Sequence, residues 1–195
     1  MPKKIFVWSA HPRAESLSDA LADAYAAGAE QGGAELRVQK LSAMEFDSNF
    51  AGYTGERVPL EPDLQAWQDN VGWAEHLFFV HPYWWGAMPG RAKAVLDRAL
   101  VPGFAFKYHD KGLGWDKLLT GRTADAMITS DTPPWYDTLK NRKPGRRVLK
   151  NQVLGFCGIK VRNIIQIGPV KTAKPETIEG WIARAERMGA EAARG

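Results

Sequence analysis

Short runs of apolar residues alternate along this chain with longer segments in which apolar positions recur every three or four residues. Lys4 to Ala10 is rich in Ile, Phe and Val and has no polar face, the pattern of a strand buried on both sides. After a polar turn from His11 to Glu15, the residues Leu17, Ala20, Leu21, Ala24, Tyr25 and Gly28 fall at helical spacing, and Ser16 or a polar neighbour is available to cap the start. Glu35 to Leu41 reads as a second strand and His76 to His81, with the run HLFFVH, as a third. Pro89 suits a first helical position, opening a helix whose apolar face is Ala92, Val95, Leu96, Ala99 and Leu100. Thr123 to Ser130 and Val161 to Ile167 complete five strands. A last helix, Thr177 to Ala193, places Ile178, Trp181, Ile182, Ala185, Met188 and Ala192 on one stripe.

Strands that alternate with helices imply a parallel sheet covered on both faces, because parallel neighbours need crossover connections. Five strands fit the flavodoxin-like order 2-1-3-4-5 of the doubly wound α/β class better than a six-stranded dinucleotide-binding sheet. With 195 residues, 45% of them hydrophobic and eight tryptophans, residues 1–195 are expected to form one domain around a substantial core. Two irregular stretches, Asp47 to Pro62 and Val101 to Arg122, are long enough to be functional loops over a site. Cys157 is the only cysteine, which excludes an intramolecular disulfide and a Cys-based zinc site. The chain shows no signal-peptide pattern and no membrane-length apolar run, so a soluble, cytoplasmic protein is expected.

The formal charge is +4, but six basic residues lie between Lys140 and Lys150 with no acid among them, and the other 20 are outnumbered by 22 acidic residues. The basicity is local. It suits an anionic small ligand at least as well as a nucleic acid, and no nucleic-acid partner is expected; a solvated loop is the plain alternative.

In an open parallel sheet, ligands bind beyond the carboxyl ends of the strands, where strand order reverses. Three segments meet that condition. HPRAESLS, from His11 to Ser18, runs into a helix start, where backbone N–H groups and the dipole favour an anion. Ser16 either joins such a phosphate cradle or only caps the helix. The segment lacks GxGxxG and GKS/GKT, so neither the dinucleotide fingerprint nor the P-loop is present. Pro82, Tyr83, Trp84, Trp85 and Gly86 put three aromatic rings in the turn after the third strand, a place suited to a flat heteroaromatic ligand. Ser130 to Tyr136 follows the fourth strand. His76, His81 and His109 show no metal-ligand spacing, and His76 and His81, five apart on a strand, point to opposite faces.

His11 through Ser18, then Pro82-Tyr83-Trp84-Trp85-Gly86 with Pro89, Lys93 and Arg98, then Gly103-Phe104-Ala105-Phe106-Lys107-Tyr108, together resemble the flavodoxin-like NAD(P)H:quinone oxidoreductases. This group includes the DT-diaphorases and the ancillary subunits of bacterial potassium efflux systems. The resemblance covers nearly the whole chain and implies a bound flavin, FMN or FAD, with NAD(P)H as electron donor and a quinone or similar aromatic acceptor, reacting by a ping-pong mechanism. It implies that His11, Ser16, Leu17 and Ser18 hold the flavin phosphate, and that Pro82, Tyr83, Trp84, Trp85 and Gly86 line the ring. Phe106 and Tyr108 would enclose nicotinamide and acceptor, and Tyr136 would stand at the flavin N1 and O2 edge as the catalytic residue. Where relatives often carry Thr-Thr-Gly-Gly, this chain has Ser130-Asp131-Thr132-Pro133-Pro134, which removes backbone donors from that cofactor loop; Asp131 could face the ring or bond its own loop. A homodimer is implied, with Phe106 and Tyr108 of one chain covering the flavin of the other. The resemblance leaves two alternatives, a redox-active regulatory subunit of a membrane transporter and a flavodoxin-type electron carrier.

Overall fold

The computed structural model describes residues 1–50, 52 and 59–195. Its elements run β1 (Lys4–Ser9), α1 (Leu17–Gln31), β2 (Glu35–Lys40), α2 (Pro62–Trp73), β3 (His76–Pro82), α3 (Gly90–Ala99), β4 (Phe106–Tyr108), β5 (Trp115–Lys117) and β6 (Thr123–Thr129). Then follow α4 (Pro134–Leu139), α5 (Pro144–Arg147), a π-helical stretch Val148–Leu154, α6 (Gly155–Cys157), β7 (Lys160–Ile167) and α7 (Pro175–Arg194). Five strands form one parallel sheet in the order β2-β1-β3-β6-β7, which is the expected 2-1-3-4-5 order once the separate β4–β5 pair is set aside. The register aligns Ser9 with Val80 and Pro82 with Thr129, so β1, β3 and β6 end side by side at one edge.

Side chains alternate across the three central strands and divide the core in two. Ile5, Val7, Phe78, Val80 and Met127 pack beneath α1 and α7, whereas Phe6, Trp8, Leu77, Phe79 and Ala126 pack beneath α2 and α3. The first layer is close because glycines remove the side chains where the two helices meet. A Cβ on Gly28 would lie 1.9 Å from the Glu186 carbonyl oxygen, and one on Gly189 would lie 2.0 Å from that of Tyr25. In the second layer the rings of Trp8, Trp67 and Phe79 meet at 5.2–6.1 Å between centroids.

Two segments depart from the sequence reading, and a third lies partly outside the described residues. Val101 to Arg122 is not wholly irregular: it contains the antiparallel hairpin β4–β5, which pairs Phe106 with Lys117 and Tyr108 with Trp115. Asp47 to Pro62 ends where α2 begins, and residues 51 and 53–58 of that stretch lie outside the described residues. The basic stretch Lys140 to Lys150 is mostly helical, not a loop, and turns Leu149 into the core. No helix among the described residues is long and apolar enough to cross a membrane.

Candidate functional site

At the edge where β1, β3 and β6 end, the three anticipated segments meet. The rings of His11 and Trp84 lie edge to face at 5.6 Å, joining the first segment to the second. The N–H of Tyr83 donates to the Thr129 carbonyl at 2.8 Å, joining the second to the third.

Ser16 caps α1: its Oγ accepts the Asp19 N–H at 3.2 Å, while Asp19 accepts the Ser16 N–H in return and the Ser9 hydroxyl at 2.5 Å. The first intrahelical bond runs from Ala20 N–H to Ser16 O, so the amides of Leu17 and Ser18 are left over at the positive end of a 15-residue helix. Ser18 itself is 1% exposed and its Oγ has no partner among the described residues. A buried hydroxyl without a partner is costly unless something accepts its bond, and the start of a helix is a place where an anion can do so. Burial holds the His11 imidazole below its ordinary pKa, hence neutral. Nδ1 lies 3.0 Å from the Arg13 N–H and 3.2 Å from the Arg13 carbonyl oxygen; in the tautomer that accepts from the N–H, Nε2–H is left as a further donor. A cleft of about 350 Å³ flanks the helix start between Glu15, Asp19, Asp23, Lys40 and Ser42.

Trp84 and Ala87 exchange two backbone hydrogen bonds around Trp85 and Gly86, whose φ values of 52° and 80° are both left-handed, as a tight two-residue turn requires. Gly86 fits without strain; Trp85 takes the conformation despite its side chain and projects wholly into solvent. Tyr83 is held from behind. Its hydroxyl donates to Asp137 Oδ1 at 3.3 Å and accepts the Gly145 N–H at 3.2 Å, and buried Asp137 pairs with Arg146 at 2.9 Å. Burial raises the Tyr83 pKa, so the hydroxyl stays protonated. The sequence reading named neither Asp137 nor Gly145 for this supporting role, and their distance from Tyr83 along the chain left no local signal.

The third segment is scaffold more than cradle. Ser130 Oγ donates to the Thr132 carbonyl at 2.6 Å and accepts from Gln166 at 2.9 Å, so it is already satisfied. Asp131 Oδ1 accepts the Lys171 N–H at 2.7 Å, which ties it to the loop before α7 instead of to its own loop. Tyr136 is half-exposed beside Trp135, and its hydroxyl bonds to nothing else described.

Phe106 differs from expectation. It is 9% exposed, packed on Phe156 at 5.0 Å and on Tyr108 at 5.2 Å, so most of its ring is committed to its own core, whereas Tyr108 is 58% exposed. Arg98 is likewise internal, bonded to Glu61 and the Asp47 carbonyl. His109 pairs with Asp116 across the β4–β5 hairpin. His76 sits at the opposite end of β3, bonded to Tyr25 and Thr123. His81 lies on the site's edge of the sheet, wholly buried: Nδ1–H donates to the Pro82 carbonyl at 2.9 Å and Nε2 has no partner among the described residues. Burial lowers its pKa to about 4. No group of three or more metal-ligating side chains occurs among the described residues.

A family model for the flavodoxin-like fold matches residues 3–188. The rat NAD(P)H dehydrogenase (quinone) 1 is 26% identical over 220 residues, covering 97% of this chain and 78% of the relative. Among solved structures, the NAD(P)H:quinone oxidoreductase of Methanothermobacter marburgensis superimposes with a TM-score of 0.80 at 22% identity, covering 98% of this chain and 100% of the other. An FMN-dependent NADH-azoreductase of Bacillus anthracis in complex with FMN gives 0.65 at 16% identity, covering 98% and 99%.

Proposed function

This chain belongs to the family of the flavodoxin-like fold, and we propose that within it the protein is a flavin-dependent NAD(P)H oxidoreductase that reduces a quinone or similar aromatic acceptor by two electrons. The observation that carries the reading is the Ser18 Oγ, buried and without a partner among the described residues, at the start of α1, where the Leu17 and Ser18 amides precede the first intrahelical bond and an anion is favoured. A flavin ends in such a phosphate and carries a flat ring; a ring-lining turn follows from the neighbouring strand. The names of similar proteins, quinone reductases and an FMN-dependent azoreductase, support the same choice.

In this reading Leu17 and Ser18 N–H, Ser18 Oγ and His11 Nε2–H bind the phosphate. The Tyr83–Gly86 turn orients the ring, with Asp137, Arg146 and Gly145 fixing Tyr83 from behind. Bound flavin supplies the relay of an electron pair between donor and acceptor. NAD(P)H gives up a hydride to become NAD(P)⁺, and the quinone takes the two electrons, that proton and one from solvent to become hydroquinone. Tyr136, whose hydroxyl has no partner among the described residues, is the residue assigned in this reading to hold a proton at the ring edge. Exposed Trp84, Trp85, Tyr108 and Trp135 exclude water from the site when a second copy covers them, which makes the working unit a two-fold dimer. Donor and acceptor use one pocket in turn, so two-substrate steady-state kinetics should give parallel double-reciprocal lines. Intersecting lines would mean that both bind together and would refute the shared pocket.

A further inference from the structure

Of the six basic residues between Lys140 and Lys150, one is taken up in ion pairing. Arg146 reaches buried Asp137 and Thr138 Oγ1, both at 2.9 Å. Lys140, Arg142, Lys143, Arg147 and Lys150 are exposed, and among the described residues none of them forms an ion pair. With no acid in the segment to offset them, they create a concentrated positive field.

The fold fixes where that field lies. A Cβ on Gly145 would stand 2.3 Å from the Tyr83 ring and 3.2 Å from the Gly86 carbonyl oxygen, so the start of α5 rests directly on the ring-lining turn. Arg142 and Lys143 immediately precede this contact, with φ of 59° and 58°. Left-handed backbone is where glycine is normally found, yet the chain carries two cations there. The Arg146–Asp137 pair and the Lys143 N–H bond to the Asp137 carbonyl, at 3.0 Å, hold the turn in place.

We infer that Arg142 and Lys143 form a recognition site for the 2′-phosphate of NADPH, making this rim the feature that selects NADPH over NADH. The inference rests on the proposed function for the presence of a nicotinamide donor. Its chemistry is that of the patch: NADPH differs from NADH by one phosphate group, nearly dianionic at neutral pH, and guanidinium and ammonium groups are its ordinary partners. Arg142 and Lys143 directly precede the α5 start that contacts the Tyr83–Gly86 turn, so the cationic pair stands beside the part of the site that a dinucleotide would approach.

The test uses 2′,5′-ADP and 5′-AMP as probes, which differ by that phosphate and bind without redox chemistry. Isothermal titration of the purified protein should show 2′,5′-ADP binding at least about tenfold more tightly than 5′-AMP. The double variant Arg142→Gly/Lys143→Gly suits the left-handed backbone and should keep the wild-type Tm and flavin content. It should lose the preference to within about twofold, with a matching loss in kcat/KM for NADPH but not for NADH. Equal affinity for the two probes in the wild type, or a preference that survives in the variant, would overturn the inference. Equal losses with NADPH and NADH would also overturn it, since they would mean bulk charge attraction. A protein that takes up no flavin would refute the proposed function separately, because the probe titration does not depend on flavin.

Discussion

Ser16 and Ser18 stand two residues apart at the start of α1 and do different work. Ser16 is spent on the capping box, so Ser16→Ala should lower stability by about 1 kcal/mol in denaturant unfolding. Ser18 is buried without a partner, so Ser18→Ala should leave the flavin-free protein as stable or slightly more stable. The same change should weaken flavin affinity by about 1–3 kcal/mol, the range for a bond to a charged group, as read by titration of the flavin-free protein. Both serines were legible as donors at a helix start; their division of labour was not, because it turns on which hydroxyl Asp19 engages. His81 offers a check by pH. Its pKa falls from an ordinary 6.5 to about 4 on folding, so the unfolded chain alone is protonated between these values. Stability from this residue is complete above about pH 6.5 and is lost as pH falls toward 4, at about 1.4 kcal/mol per pH unit. His81→Gln should flatten the stability–pH profile by about that slope over the window, measured by urea unfolding at several pH values.

Among the elements, α5 matters most for the site although it spans only Pro144–Arg147. Gly145→Ala puts a methyl into the Tyr83 ring, so Tyr83 must move and the ring-lining turn with it. Flavin affinity should fall about tenfold or more while far-UV circular dichroism stays unchanged; unaltered affinity would mean that Tyr83 does not bear on the ring. The large elements were readable because their periodicity is long: the five strands and the helices α1, α3 and α7 follow directly from runs and stripes of apolar residues. α2 was not recognised: the irregular stretch ends at Pro62 as expected, but the apolar positions Leu64, Trp67 and Val71 on the helix's buried face are widely spaced among polar residues and do not register as a stripe. β4 and β5 have three residues each, too few for alternation to register. In the basic segment, charge obscured the buried positions Gly145 and Leu149 that make it part of the packed structure.

For the whole molecule, the aromatic side chains of the loops divide between core and surface. Phe106 is core and Phe104 and Trp115 are partly covered, whereas Trp84, Trp85, Tyr108, Trp135 and Tyr136 stay exposed. That remaining surface is what a second copy would cover, with Tyr108, not Phe106, reaching the partner's site. Sedimentation velocity at micromolar concentration should give a dimer, and mixing Ser18→Ala with Tyr108→Ala protein should restore part of the activity each lacks. A fully active, flavin-loaded monomer would refute the arrangement. The proposed activity requires a flavin at the meeting point of β1, β3 and β6. The most direct test is to release the bound cofactor from freshly purified protein by heat and quantify it by chromatography against chain concentration. The expected result is close to one FMN or FAD per chain, recovered after stripping when flavin is added back. Protein that is colourless and takes up neither FMN nor FAD would contradict it.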